Sequence, residues 1–390
     1  KNLELEGEFD INNPTNIIIK VSAHKKKVLE KVGINSLPKY CDLIPMPKQI
    51  YKRMLPDLVR QAKSWTDKNK KLTTAIVHLL EKKAIPELIQ INNKIREKPA
   101  DTASFLTEFL SSADGIALSL QGPPGTGKTT ITGELIARLI DKNQSIVVSS
   151  QTHEAINNLL KSVQRNAQSL SSTPFVVKLS SGTSEKSDQR SLSGTKVQAL
   201  RENDLNSKPN VLGATVFSLV KERFGEKPYD LLVVDEAGQV SLSNLLFMSH
   251  CARNILLVGD QNQLSQPNRA KHPGESGLSC LEYVMGEEKV VPFNKGVFLA
   301  TSWRMPPVLT SVVSDLFYQG ELKSCISKSE NKIYWEGLQQ GLTFQEVDHY
   351  SNASESKEEI DKIEELVNQL TGCSYQIVQK DSNGTSVFKG

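Results

Sequence analysis

A glycine-rich stretch between an apolar run and a helical pattern constrains this chain more than any other feature. The stretch reads GPPGTGKT from Gly122 to Thr129 and fits the pattern GxxxxGK[S/T] in full. The apolar run 116–120 precedes it, and apolar residues at helical spacing follow over 131–140. A strand, such a loop and a helix in this order form a phosphate-binding loop, because loop amides and the helix N-terminus face the negative charge. The stretch therefore predicts a nucleotide site.

Each part of this loop has a predicted task. Lys128 is expected to reach the β- and γ-phosphates of ATP, and the Thr129 hydroxyl is expected to ligate Mg²⁺. The alternative, a chance glycine-rich turn, is disfavoured by the strand and helix on either side. The remaining residues assigned to the phosphate cradle are Gly122, Pro123, Pro124, Gly125, Thr126, Gly127 and Thr130.

Length and composition are those of a soluble globular protein. The 390 residues correspond to two or three domains, and 38% are hydrophobic and 23% charged. The net charge of +3 is too small to imply a nucleic-acid partner by itself. Five scattered cysteines without a CxxC disfavour structural zinc, iron–sulfur clusters and disulfide frameworks, and fit a reducing cytosol.

No apolar run approaches the ~20 residues of a membrane span, and no signal peptide is present, so a cytoplasmic protein without a membrane partner is expected. The chain begins at Lys1 without a methionine, which suggests a piece of a longer protein.

The first part of the chain, residues 1–105, is predicted to be an accessory, mainly helical region. Apolar residues recur at helical spacing over 55–65, inside the basic segment 48–71, and a second helix is predicted over 72–83. The basic face has two interpretations, a nucleic-acid-facing arm or an ordinary solvated surface, and the second is slightly favoured.

The middle of the chain alternates buried-type strands with helices. Strands are predicted over 116–120, 145–150, 211–216, 231–234 and 254–258, and a helix over 154–163. Near-continuous apolar strands that alternate with helices indicate an α/β fold with a parallel sheet covered on both faces. The segment 165–210 is rich in Ser, Thr, Asn and Lys, holds one strand candidate at 175–179, and is interpreted as an inserted, mobile subdomain.

Two acids follow the strand 231–234 directly. A P-loop hydrolase needs a carboxylate at a strand tip to hold Mg²⁺, and Asp235 is predicted to fill that role. Glu236 is predicted to activate the attacking water. The next strand ends in GDQNQL over 259–264, which places Gln263 at the same sheet edge. Because ligands of open α/β sheets bind at the carboxyl ends of strands, these residues are expected to meet at one site.

Four motifs in this order resemble those of superfamily 1 helicases: GPPGTGKT (122–129), DEAGQ (235–239), GDQNQL (259–264) and WRMPP (303–307). Within the superfamily they are similar to the RecD/Upf-like branch. Longer stretches, such as SSQTHEAINNLL and FYQGEL, are similar to the helicase part of bacterial RecB-like nuclease–helicase fusions. The resemblance spans roughly 110–370. It implies a RecA-like P-loop ATPase domain over 106–325, with a linker and the truncated start of a second RecA-like domain over 326–390.

The resemblance also implies roles for single residues of the motor. Gln239 and Gln263 sit where the family couples the state of the γ-phosphate to the nucleic-acid groove. Arg304 sits where the family uses an arginine finger, a group that stabilises transferring charge; a surface salt bridge is its alternative. Trp303 is a candidate either for base stacking or for core packing.

Three further residues match family contacts to a single strand. Thr152 and His153 follow the strand 145–150, and Thr215 follows the strand 211–216. Contacts of this kind read phosphate and sugar, so they predict little sequence preference.

The function that follows is the N-terminal half of an ATP- and Mg²⁺-dependent motor that moves 5′ to 3′ on single-stranded DNA. A fused RecB-like nuclease and the missing second RecA-like domain are its expected partners, and the isolated chain is expected to be weakly active. The glutamine with which the family reads adenine is not evident, since Gln90 lies too far from the P-loop. Two alternatives stay open: an RNA helicase of the Upf-like branch, since only the 2′-OH separates RNA from DNA, and a nucleotide switch that does not translocate.

Overall fold

The computed structural model describes most of the chain from residue 73 onward and short stretches before it. The described residues are 6–10, 13–20, 56, 59, 63, 73–169, 173–180, 184–221, 223–263, 274–325, 332–334, 343–348, 352, 355–371, 373–380 and 386–389. They divide into two units, Lys1–Val59 and Arg60–Gly390. In the basic segment 48–71, where a helix is predicted over 55–65, only residues 56, 59 and 63 are described, all of them helical, and the rest lies outside the described residues.

In the first unit, the strands β1 (Glu6–Asp10) and β2 (Asn13–Lys20) pair antiparallel as a hairpin. The register sets Glu6 opposite Lys20 and Phe9 opposite Ile17.

The second unit alternates strands and helices, as the sequence predicts. Its helices are α1 (Thr74–Leu80), α2 (Glu87–Glu97), α3 (Thr102–Ser111), α4 (Lys128–Asp141), α5 (His153–Asn166), α6 (Glu185–Ser191), α7 (Val216–Leu219), α8 (Arg223–Glu226), α9 (Leu242–Met248), α10 (Cys280–Met285), α11 (Pro307–Phe317) and α12 (Lys357–Thr371). Its strands are β3 (Ala117–Gln121), β4 (Ile146–Ser149), β5 (Val176–Leu179), β6 (Gln198–Leu200), β7 (Val211–Gly213), β8 (Tyr229–Val234), β9 (Ala252–Gly259), β10 (Gly296–Phe298), β11 (Thr301–Ser302), β12 (Lys323–Ser324), β13 (Lys332–Tyr334), β14 (Ser374–Lys380) and β15 (Ser386–Lys389).

Eight of these strands form one sheet in the order β10-β3-β9-β8-β4-β7-β5-β6, and every neighbouring pair is parallel. The apolar side chains of the central strands alternate between two hydrophobic clusters, one on each face. In β8, for example, Leu232 and Val234 lie in one cluster, and Leu231 and Val233 in the other. The first cluster includes residues of α1, α9 and α10, and the second includes residues of α2 to α5. The predicted parallel sheet covered on both faces is confirmed.

The beginnings of the helices follow from local chemistry. Ser279 accepts a hydrogen bond from the Glu282 amide, and the Glu282 carboxylate accepts one from the Ser279 amide, which forms a capping box at the start of α10. The helix α11 begins at Pro307, where a missing N–H costs no intrahelical bond.

The segment 165–210 differs from its interpretation as an inserted subdomain. Within it, β5 pairs with β7 and β6 pairs with β5, so the segment forms the edge of the main sheet. The apolar run of β5 is interrupted by Lys178, whose side chain is fully buried in an ion pair. Because that charge makes β5 resemble a polar segment, the sequence pattern did not indicate that this strand belongs to the main sheet.

Smaller elements follow the main sheet. The strands β11 and β12 pair parallel, and β13, β14 and β15 form a three-stranded antiparallel sheet. The helix α12 lies between β13 and β14 in the chain. Among the described residues, no helix is both long and apolar enough to cross a membrane.

Candidate functional site

The glycine-rich loop follows β3 directly and ends at the first residue of α4. Gly125 and Gly127 have φ of 78° and 83°, which only glycine adopts without strain. The Gly122 amide donates to the Gly259 carbonyl at 2.9 Å, which fastens the loop to the end of β9. The Thr126 hydroxyl donates to the Pro123 carbonyl at 2.8 Å, so that side chain shapes the loop.

Lys128 begins α4 and folds back into the loop. Its ammonium donates to the carbonyl of Gly122. Burial lowers the pKa of Lys128, and the positive charge of Arg304 acts in the same direction. Three nearby carboxylates oppose that shift, those of Asp260, Glu236 and Asp235. The lysine therefore lies within electrostatic reach of both acids at the end of β8 and of the arginine from the fourth motif.

The acids Asp235 and Glu236 stand at the carboxyl end of β8. Asp235 is 5% exposed, and burial together with the Glu236 charge raises its pKa to about 6. The Glu236 amide donates to Asp235 Oδ1 at 3.0 Å. Glu236 has a φ of 53°, a left-handed conformation that costs about 1–3 kcal/mol for a residue other than glycine. Strain of this kind is concentrated at functional sites.

These residues fit a Mg²⁺ ion. A buried carboxylate with a raised pKa and a second acid beside it gains stability from a cation. Among the residues that the structure describes, no group of three His, Cys, Asp or Glu side chains forms a metal cluster. Mg²⁺ in a nucleotide site needs no such cluster, since it takes one or two protein ligands and completes its shell with phosphate oxygens and water. Asp235 and the exposed Thr129 at the start of α4 are oxygen donors of the required kind.

The structure brings Arg304 against the phosphate loop. A Cβ built on Gly125 would lie 2.3 Å from the Arg304 Cβ, so no other residue fits at that glycine. The Trp303 amide donates to the Gly125 carbonyl at 2.8 Å, and the Ser302 hydroxyl donates to the Pro124 carbonyl at 3.3 Å. The Arg304 side chain is exposed, and among the described residues no carboxylate pairs with it. Trp303 is 50% exposed, so the core-packing alternative for this residue is not supported.

Gln263 lies at the end of β9, where it donates to Asp260 Oδ2 at 3.2 Å. Asp260 is 4% exposed and also accepts a 2.6 Å hydrogen bond from the Tyr318 hydroxyl. Burial and this bond to Asp260 raise the pKa of Tyr318 far above its ordinary range. The sequence motifs include Asp260 and Tyr318, but the patterns gave no sign that these two side chains meet. Gln263 is thereby linked to the segment that follows α11.

Gln239 closes the 3₁₀ turn Ala237–Gln239 and is half-buried. The backbone N–H of Gln239 donates to the Glu236 carbonyl at 2.8 Å. The turn packs closely on the end of β9, because a Cβ on Gly238 would lie 2.8 Å from the Asp260 carbonyl oxygen. Gln239 therefore lies between the acids of β8 and the polar end of β9.

The residues predicted to contact a single strand lie farther along the same sheet edge. Thr152 follows β4, and Thr215 follows β7, the neighbouring strand. The Thr152 oxygen accepts the Ala155 amide at 3.1 Å and caps α5, which leaves its hydroxyl proton to donate elsewhere. Thr215 is half-buried and its side chain makes no cap of this kind.

His153 is part of a buried polar network that the sequence patterns did not reveal. Its Nδ1 lies 3.1 Å from the Lys178 ammonium and 3.4 Å from Asp188 Oδ2. Lys178 is 0% and Asp188 1% exposed. The one available signal was the lysine inside the apolar run VVKL of β5, because a charge there requires a buried partner.

Comparisons with known proteins find one family model and several relatives that are similar to parts of this chain. A family model described as an AAA domain matches residues 100–272. The chain is 27% identical over 217 residues to the DNA replication ATP-dependent helicase/nuclease DNA2 of Xenopus laevis, a match that covers 54% of this chain and 20% of that protein. It is 22% identical over 246 residues to Regulator of nonsense transcripts 1 of Caenorhabditis elegans, covering 55% of this chain and 23% of that protein.

Among solved structures, the complex of Arterivirus nonstructural protein 10 (helicase) with DNA is 13% identical, with a TM-score of 0.35, covering 56% of this chain and 43% of that chain. The chain spans about a fifth of the length of the curated relatives it matches.

The parallel sheet, the loop between β3 and α4 and the acids after β8 define an α/β fold of the P-loop NTPase class. The four ordered motifs and these relatives make the chain similar to superfamily 1 of the DNA and RNA helicases.

Proposed function

We propose that this chain is the first half of the motor of an ATP-dependent helicase that moves on single-stranded DNA. The observation that carries the proposal is the meeting of Lys128, the Asp235–Glu236 pair and Arg304 around one loop. Three separate stretches of sequence supply these groups, and the sheet edge unites them. An arrangement of cations and acids around a phosphate loop suits the hydrolysis of a triphosphate.

Within this site, the loop amides and Lys128 hold the triphosphate. Mg²⁺, when bound, would supply positive charge against the negative charge that develops on the phosphate oxygens. Thr129 and Asp235 are the residues that would hold it. Glu236 accepts a proton from the attacking water, and Gln263 orients groups at the γ-phosphate. Arg304 adds positive charge from the side of Gly125, where only a glycine admits its Cβ.

The carboxyl ends of β4 and β7 carry the strand contacts in this proposal. Thr152, His153 and Thr215 bind backbone phosphates and sugars, and Gln239 and Gln263 connect this groove to the γ-phosphate. The same proposal assigns residues 106–325 to the first RecA-like domain and residues 326–390 to the start of the second. It also includes 5′ to 3′ movement and a cytoplasmic location.

DNA is proposed as the substrate because relatives from several species bear a name that includes DNA replication and a nuclease. The same name supports a nuclease in the parent protein. RNA is the second candidate, because one relative is a regulator of nonsense transcripts.

Binding and turnover of ATP by this chain test the proposal. Oligothymidylate is expected to stimulate ATP hydrolysis. A motor couples its nucleotide site to the groove for the single strand, and a simple nucleotide switch does not. Competition between DNA and RNA oligonucleotides of matched length and sequence ranks the two substrates. If single-stranded nucleic acid leaves the rate of ATP hydrolysis unchanged, the result would contradict the motor function and favour a nucleotide switch.

A further inference from the structure

We propose that Lys178 and Asp188 are positioning residues that hold His153 as a neutral hydrogen-bond donor, with its proton on Nε2 and directed at the backbone of the bound strand. This inference rests on the proposed role of His153 in binding a single strand. It adds two residues, neither of them near the nucleotide, to the strand-binding half of the sheet edge.

The three side chains come from three neighbouring elements. His153 begins α5 after β4, Lys178 lies on β5, and Asp188 lies on α6. The Lys178 ammonium contacts three acceptors: the Leu179 carbonyl at 2.6 Å, His153 Nδ1 at 3.1 Å and Asp188 Oδ2 at 3.6 Å. An ammonium has three protons to donate and no lone pair, so the first two contacts are hydrogen bonds and the third is an ion pair.

The anion of the network is equally well satisfied. Asp188 accepts hydrogen bonds from the Ser180 hydroxyl at 2.6 Å and from Asn157 Nδ2 at 3.0 Å. Burial opposes its ionisation, but these two bonds and the Lys178 charge outweigh burial and hold the pKa of Asp188 below its ordinary value. Lys178 and Asp188 therefore form a buried ion pair with opposite, compensating charges.

The state of the imidazole follows from its neighbours. Nδ1 lies closer to the Lys178 ammonium, at 3.1 Å, than to Asp188 Oδ2, at 3.4 Å. Because an ammonium can only donate, this closer contact favours a lone pair on Nδ1 and the ring proton on Nε2. A second proton on Nδ1 would place two positive charges 3.1 Å apart. Burial and the Lys178 charge lower the pKa of His153, while Asp188 opposes that shift.

Those two residues are the charged groups of the described chain that face the ring, and Glu154 follows it on its own helix. The His153 side chain is 39% exposed, while Nδ1 points into the buried network. Nε2, on the opposite side of the ring, is the atom left for a ligand. A neutral N–H at this position suits a phosphate or sugar oxygen at any pH at which the pair stays intact. Such a contact adds nothing to the salt dependence of binding, because it neutralises no phosphate charge.

The direct test is the tautomer of His153 in the full chain. The protein, which has six histidines, is labelled with ¹⁵N at histidine, and a His153→Gln sample assigns the resonance. We expect an unprotonated Nδ1, a protonated Nε2 and a His153 pKa below that of an ordinary histidine, which titrates near 6.5. A proton on Nδ1, or a midpoint near 6.5, would overturn the inference. The measurement needs no variant of the buried pair.

A charge-neutral double variant tests the positioning role. Lys178→Met with Asp188→Asn removes both charges, so neither is left buried alone. His153 should then titrate near 6.5, and affinity for oligothymidylate should rise about threefold between pH 7.5 and 5.5. The slope of log affinity against log salt should also steepen by about 0.7 at the lower pH.

In the parent chain, the affinity for oligothymidylate and the slope against salt should change less with pH than in the double variant. His153→Gln in the double variant should abolish the new pH dependence, because glutamine keeps an N–H donor and cannot titrate. A double variant whose affinity stays flat would contradict the positioning role.

The two levels of the proposal fail differently. If the parent chain binds no oligothymidylate, the proposed function fails and the inference about the strand fails with it, whatever the tautomer. If the parent binds but His153 carries its proton on Nδ1, only the positioning by Lys178 and Asp188 is overturned.

Discussion

Each of two halves of one sheet edge holds a buried acid with a shifted pKa, and the two shifts have opposite directions. In the nucleotide half, formed by β3, β9 and β8, Asp235 is 5% exposed and its pKa is raised to about 6. In the strand half, formed by β4, β7 and β5, Asp188 is 1% exposed and its pKa is lowered. Burial alone therefore does not decide the charge state of an acid in this protein.

The difference lies in the neighbours of each carboxylate. Asp188 has a hydroxyl donor, an amide donor and the Lys178 ammonium, so its charge is compensated within the chain. Asp235 has the Glu236 amide as a donor and the Glu236 carboxylate as a second negative charge. One half is an internally balanced structural network, and the other is a negative site suited to a cation supplied from outside.

The largest expected effect is an opposite change in the free energy of unfolding when each of the two acids is replaced. Asp188→Asn should lower the free energy of unfolding by about 3 kcal/mol, since it leaves the buried Lys178 charge unpaired. Asp235→Asn should raise it by about 2–3 kcal/mol at pH 7 without Mg²⁺, because a carboxylate with a raised pKa disfavours folding once it is ionised. Urea denaturation of both variants measures the difference.

The sign of each pH dependence provides the control. The folded pKa of Asp235 lies above its unfolded value, so its contribution favours the folded chain at low pH and is lost between about pH 4 and 6. The folded pKa of Asp188 is depressed, so its contribution is present above the unfolded value and is lost as the pH falls through the folded one. Equal changes in both variants would contradict the comparison.

The second prediction concerns hydrolysis alone. Glu236→Gln should keep ATP binding and lower the rate of hydrolysis about a thousandfold relative to the parent chain, because an amide accepts no proton from water. Equilibrium binding of a fluorescent ATP analogue and phosphate release measure the two properties separately. If this variant hydrolyses ATP at the rate of the parent chain, Glu236 is not the base that accepts the proton from water.

Lys128→Ala should weaken ATP binding about a hundredfold, since it removes the cation inside the phosphate loop. Lys142→Ala, an exposed lysine at the other end of the same helix, serves as the matched control. Fluorescence titration with an ATP analogue compares them, and an equal loss in both variants would mean that general charge, not the loop, determines affinity.

The smallest effect is the dependence of Mg²⁺ binding on pH. With a pKa of about 6 for Asp235, Mg²⁺ affinity in the presence of the nucleotide should fall about tenfold from pH 7 to pH 5 as the acid gains its proton. Calorimetric titration measures it, and removal of Mg²⁺ with a chelator should weaken nucleotide binding. In Asp235→Asn the pH dependence should disappear; if it persists, another group controls the metal.

Much of the fold was predictable because its signals are local. The strand, loop and helix around Gly122–Thr129 and the apolar runs of β8 and β9 identify the sheet without knowledge of contacts. The place of β5 was less evident, because Lys178 breaks its apolar run and its partner Asp188 lies ten residues away on the helix α6.

The pairs that complete the two halves were not predictable from patterns. Tyr318 and Asp260 are 58 residues apart, and no periodicity relates a hydroxyl after one helix to an acid after a strand. The position of Arg304 was expected from the family resemblance alone, and the structure supplies the physical constraint, the missing Cβ of Gly125.

The most direct measurement is a crystal structure of this chain with Mg²⁺ and a non-hydrolysable ATP analogue. The account predicts the triphosphate in the loop 122–129, the metal ion between Thr129 and Asp235, and the Arg304 guanidinium at the γ-phosphate. A nucleotide bound elsewhere, or an Arg304 side chain turned away from a triphosphate bound in the loop, would contradict the central claim that these groups form one site.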